Sequence, residues 1–197
     1  LPTSGQDAQP TPAPTPTPMA AIDTADIPDR AAELRPEIEK IFNTVDLQNR
    51  AVTAGTLHSD FIRATAWNIE RGTEFDRLLE VLSGHPVIGK SDLLLLTELD
   101  HGMARSGNRH VARELADSLE MNSAFAPCYI NLEKGSGLEI DIAGENRESL
   151  HGNAVLSRHE LRDPFTVRLV NGKDKMKGKE KRLCSQVSVG ATVMHPL

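Results

Sequence analysis

The sequence predicts an α/β fold of the α+β type, built on a mixed β-sheet. Two strand-like segments each precede a helix-like one in the first part of residues 59–197. Several short alternating segments follow, with turn residues between them. That order fits a mixed sheet and not a regular βαβ array. No internal repeat of 20–50 residues is present, so a solenoid is excluded.

The elements follow in order. Residues 1–25 read as a disordered linker. From Gln9 to Pro18, proline alternates with threonine and alanine, a composition that keeps backbone extended and solvated. Residues 26–58 read as a helical lead-in. Ile38, Ile41, Phe42 and Val45 recur on one helix face, and Pro36 suits the first turn. In FIRATAWNIERG, Ile62, Ala64 and Ala66 alternate with Arg63, Thr65 and Trp67, which predicts a strand running into Asn68. The Arg71-Gly72 turn ends it. Thr73 and Asp76 then stand in capping-box positions for a helix with Phe75, Leu78, Leu79 and Leu82 inward.

The run Leu93–Leu96 is continuous and apolar, the signature of a strand covered on both faces. It delivers Glu98 and Asp100 at its exit. A polar loop follows, then a helix from about residue 109 to 120. Residues 123–132 read as a strand in which Pro127 indicates an edge or a bulge. Residues 133–150 read as loop. Further strands are expected at 154–157, 165–169 and 183–189, and Asn171-Gly172 is a hairpin-turn dipeptide.

Composition narrows the function. The chain has 197 residues, 39% hydrophobic and 25% charged, with a net charge of -6. That balance argues against a protein that coats nucleic acid. An enzyme acting on phosphates stays compatible with it, because a bound divalent cation reverses the local field. No apolar run of eighteen residues is present, so no transmembrane segment is expected. Cys128 and Cys184 are too few for a disulfide framework. The histidines show no zinc-ligand spacing. The Pro/Thr-rich start is in keeping with an exported or periplasmic protein.

Asn68 and Glu98 are the leading candidates for chemistry. Strand ends are where α/β folds place their sites. A glutamate is a hard oxygen donor suited to Mg²⁺ or Mn²⁺, and an asparagine amide both donates and accepts. Pattern alone leaves a second reading open, that both are solvated strand-end residues. Glu70 shares the strand exit with Asn68 and is a candidate for the same acidic cluster. His151 is a weaker candidate. Arg105, Asn108 and Arg109 lie where basic residues reach a substrate phosphate, or where a solvated loop would place them. The run Lys173, Lys175, Lys177, Lys179, Lys181 and Arg182 suits an anionic surface, or a solvated hairpin tip.

Three strings in order, ATAWNIERG, DLLLLTELD and HGNAVLSRHEL, resemble the endonuclease/exonuclease/phosphatase superfamily. The resemblance spans roughly residues 61–195. It implies an incomplete two-sheet sandwich of mixed β-sheets flanked by helices, and a metal-dependent hydrolysis of a phosphodiester or phosphomonoester. It implies that Asn68 helps hold the phosphate, that Glu98 binds the catalytic Mg²⁺ (or Mn²⁺), and that Asn153 lies near the substrate. A nucleic acid, a lipid head group and an inositol phosphate all remain open as substrate, as does oligomeric state.

The family also uses an Asp-x-Asn motif, a histidine and a final Asp-His pair. Asp141, Asp163 and Asp174 are not followed two places on by asparagine. The expectation is therefore that those groups lie after Leu197. Residues 1–197 are then an N-terminal portion, marginally stable and inactive alone. The alternative is a non-catalytic binding module on the same scaffold.

Overall fold

The computed structural model describes residues 33–50, 60–169, 176, 180–184 and 186–195. The expected linker, the Asn171-Gly172 turn and most of the lysine run lie outside them. The described residues form a two-sheet α+β sandwich with helices on one side. The elements in order are α1 (Arg35–Asn43), β1 (Asp46–Gln48), β2 (Ala64–Arg71), α2 (Phe75–Gly84), β3 (Leu93–His101), α3 (Val111–Ser118), β4 (Asn122–Asn131), β5 (Leu150–Ser157), β6 (Glu160–Leu169), β7 (Arg182–Leu183) and β8 (Gln186–Met194).

The first sheet has the order β1-β4-β5-β3-β2, with β7 also on β4. Only β2 and β3 run parallel, which requires a crossover, and α2 supplies it. β3–β5, β4–β5, β1–β4 and β4–β7 are antiparallel. The second sheet is the antiparallel pair β6–β8. The expected helical lead-in therefore also contributes a strand, β1.

The main core lies between the helices and one face of the first sheet. Leu78 and Leu82 of α2 and Val111 and Leu115 of α3 meet Leu94, Leu96, Leu99 and Leu156. Fully burying each such side chain is worth about 1.5–3 kcal/mol. On the opposite face, Ala124, Val155 and Leu161 pack with Val189, Ala191 and Val193 of β8.

The expectation for β3 is corrected on this second face. Leu94 and Leu96 are buried, but Leu95 between them is 41% exposed. Ala64 and Ala66 of β2 are exposed as well. The described strands of the second sheet are two, and they pack over β4 and β5.

The helix starts differ by a few residues. The Thr73 capping box does not form. Gly72 turns the chain with φ +73, α2 begins at Phe75, and the Thr73 hydroxyl faces the Glu70 carbonyl. α3 starts at Val111, because His110 caps it by accepting from the Arg113 N–H.

Pro127 proves to be a bulge within an inner strand. β1 pairs with Ser123–Phe125 and β7 with Ile130–Asn131, so the proline sits between the two stretches where a ladder donor is needed on that side. The register against β5 shifts between Pro127 and Tyr129.

Candidate active site

Glu98 is the point at which three strands lose their regular register. Against β5, Leu96 faces Ala154 and Leu99 faces Gly152, so Thr97 and Glu98 together oppose Asn153. Against β2, Asn68 faces Thr97 and Arg71 faces Leu99, so Ile69 and Glu70 together oppose Glu98. Two bulges thus meet at one residue. Glu98 takes a left-handed backbone, φ +62, and Glu70 and Arg71 do the same at +47 and +71. Such conformations are uncommon for residues other than glycine, and bulges of this kind re-aim a side chain.

Side-chain amides make up for the interrupted ladder. The Asn153 Oδ1 accepts from the Glu98 N–H at 3.4 Å, and its Nδ2 donates to the Val187 carbonyl of β8 at 2.8 Å. Asn153 therefore ties the two sheets together beside the bulge. The Asn68 Nδ2 donates to Glu98 Oε1 at 2.8 Å, while its Oδ1 accepts from the Glu70 N–H at 3.0 Å.

The three residues singled out from the sequence are thus brought into one hydrogen-bonded group. Asn68 is exposed; Glu98 and Asn153 are half-buried. One Nδ2 hydrogen of Asn68 and the Oε2 oxygen of Glu98 have no described partner.

The neighbouring candidates fare differently. Glu70 is exposed, and it is its backbone N–H that bonds Asn68. Arg105 is not a solvated loop residue. Its guanidinium is buried and binds both oxygens of Asp100, Nε to Oδ2 at 2.8 Å and Nη2 to Oδ1 at 3.0 Å. Its Nη1 reaches Glu139 at 3.2 Å and Glu180 at 3.1 Å. Asn108 holds the loop at Glu145 and Arg147, and Arg109 pairs with Glu114 over the Phe75 ring.

This buried network is the part that sequence reasoning missed. Arg71 pairs with Glu139, and Arg182 and Asn131 bind Glu180. His151 Nδ1 lies 2.8 Å from Asp100 Oδ1. Burial works against the Asp100 charge, but the His151 and Arg105 hydrogen bonds outweigh it. They hold the carboxyl below its ordinary value. Burial likewise opposes the Arg105 charge, and Asp100 more than restores it. Burial of Tyr129 in the same cluster pushes its phenol up to about 12.

The donor set suits a hard, strongly hydrated cation that takes few ligands from the protein. Magnesium is typically held by one or two carboxylates, waters and substrate phosphate. Glu98, with one oxygen fixed by Asn68 and the other without a described partner, fits that role. Among the described residues, no group of three or more histidine, cysteine, aspartate or glutamate side chains forms a cage around a metal position. No described helix is long and apolar enough to cross a membrane.

No protein-family profile matches the chain, and neither a curated protein nor a solved structure matches it.

Proposed function

We propose that the protein is a divalent-metal-dependent phosphoester hydrolase, with Glu98 as a Mg²⁺ (or Mn²⁺) ligand and Asn68 and Asn153 around the substrate phosphate. The observation that carries the reading is the convergence of two bulges on Glu98, with both asparagine side chains bonded to it. Strained, re-aimed positions of this kind cluster at functional sites. The ordered resemblance of the three strings supports the same reading.

Each residue has a task that its contacts allow. Asn68 fixes the rotamer of Glu98 and directs its remaining N–H toward a phosphoryl oxygen. Asn153 holds the Glu98 backbone in its left-handed turn. Glu98 presents one oriented oxygen to the cation. A bound cation would supply Lewis-acid polarisation of the phosphoryl group and charge stabilisation on the leaving oxygen.

The test is hydrolysis of bis(p-nitrophenyl) phosphate by the intact protein with Mg²⁺ added or chelated. Glu98→Ala is expected to remove the metal-dependent rate by orders of magnitude. Asn68→Ala is expected to lower activity or metal affinity about 10–100-fold, as for a residue that orients a ligand. Full activity in Glu98→Ala overturns the assignment. A folded protein that binds Mg²⁺ and phosphate without turnover supports the alternative, a binding module on the same scaffold.

A further inference from the structure

Beside the Glu98 bulge lies an imidazole that is held on one side and unused on the other. His151 is two residues before Asn153 on β5, so both side chains leave the same face of the sheet. Asp100 stands opposite His151 in the register. The Asp100 carboxylate already receives a hydrogen bond from Arg105 on each of its oxygens, so it only accepts. The His151 Nδ1 at 2.8 Å from it must therefore carry the proton. The Tyr129 ring stacks on the imidazole at 4.7 Å, 23° from parallel. Tautomer and orientation are both fixed. The side chain is 8% exposed, yet Nε2 has no partner among the described residues.

Among the described residues, the charge around it is balanced without it. Asp100 of β3, Glu139 and Glu180 are matched by Arg71 of β2, Arg105 and Arg182 of β7. Arg182, bound to Glu180, also places its guanidinium 4.2 Å from the centre of the Tyr129 ring on which His151 stacks. Donation from Nε2 requires the imidazolium form, whose charge the described carboxylates, already matched, do not balance. An anion at that nitrogen balances it.

We propose that His151 is a phosphate-contacting residue: its Nε2–H donates to a phosphoryl oxygen bound beside Asn153, while Asp100 holds the opposite N–H. The contact deepens the hydrolase reading and rests on it only for the identity of the anion as a substrate phosphoryl group. Two residues of strand separate His151 from Asn153, about 7 Å along the sheet. That spacing lets one phosphoester touch both.

The test follows the imidazole ¹H–¹⁵N signals of the intact protein during titration with inorganic phosphate, with and without Mg²⁺, beside calorimetric affinities. The His151 Nε2 signal is expected to move with saturation. His151→Gln is expected to weaken phosphate binding about tenfold or more, the size of one charge-assisted hydrogen bond. No phosphate binding, a stationary His151 signal at saturation, or equal affinity in His151→Gln each overturns the contact. His151-dependent binding without hydrolysis overturns the hydrolase reading alone. Hydrolysis with unchanged KM in His151→Gln overturns the contact alone.

Discussion

Arg105 shows how far one side chain can depart from its sequence setting. In a polar, glycine-containing loop it reads as a solvent-facing cation, but the loop folds back and aligns it with Asp100 five residues earlier. Arg105→Met would leave Asp100 buried without its arginine and Glu180 with Arg182 as its remaining described counter-charge. A loss of about 3–5 kcal/mol is expected in denaturant unfolding, the usual result of removing one partner of a buried pair. A loss under about 1 kcal/mol would mean that the remaining arginines suffice. His110 gives a pH-dependent counterpart. Its neutral ring accepts the Arg113 N–H at Nδ1 and donates from Nε2 to Asp46 at 2.8 Å. Burial, and then the stacked His101 at 3.9 Å, lower its pKa to about 4 despite Asp46. The folded ring thus stays neutral where the unfolded one, near 6.5, takes a proton. Its contribution is complete above about pH 6.5 and is lost as pH falls toward 4, about 3 kcal/mol in all. His101 is lowered as well, with the same sign. Urea midpoints at pH 7.5 and 4.5 should differ clearly in the wild type and much less in His110→Gln. Asp100, held below 3.8, titrates outside this window.

At the scale of elements, the strands that carry the site depend on close approach of β5 to β4. A Cβ at Gly152 would run into the Ala126 carbonyl oxygen and the Phe125 ring. Gly152→Ala is expected to cost about 1–3 kcal/mol and to displace Asn153 next to it, so stability and Mg²⁺-dependent activity should fall together. Wild-type values of both would show that β4 can yield. The strands themselves were legible, since alternation and apolar runs mark β2, β3 and β6 directly. Asn68, Glu98 and Asn153 were legible as a group only through the order of three strings. Their hydrogen bonds were not. A bulge without glycine leaves no mark in the sequence, and at Glu98 it arises from how three strands of different phase meet. Asp100, Glu139 and Glu180 were unreadable for a similar reason: they are far apart in the chain and converge on Arg105 only in the folded molecule.

At the scale of the whole molecule, the two faces of the first sheet differ in what covers them. Leu96 lies under the helices at 1% exposure, and Leu95 on the other face is 41% exposed. Leu96→Ala is expected to cost about 2–5 kcal/mol, as a cavity in a packed core does. Leu95→Lys is expected to change stability by about 0.5 kcal/mol or less, as a surface substitution does. Equal losses would mean that β3 is enclosed on both sides. The N-terminal strap has a different dependence. Arg168 of β6 donates to the Phe42 carbonyl at 2.7 Å and lies over the Phe42 ring, and the Asn49 amide brackets the Leu161 backbone at 2.8 and 3.0 Å. These contacts close loops of more than a hundred residues. During folding, β1 can pair with β4 before β6 arrives, but the Arg168 and Asn49 contacts wait for β6, and chain closure of that length slows their formation. The amides of α1 and of the segment around Asn49 are then expected to gain slow exchange later than those of β3 and β5.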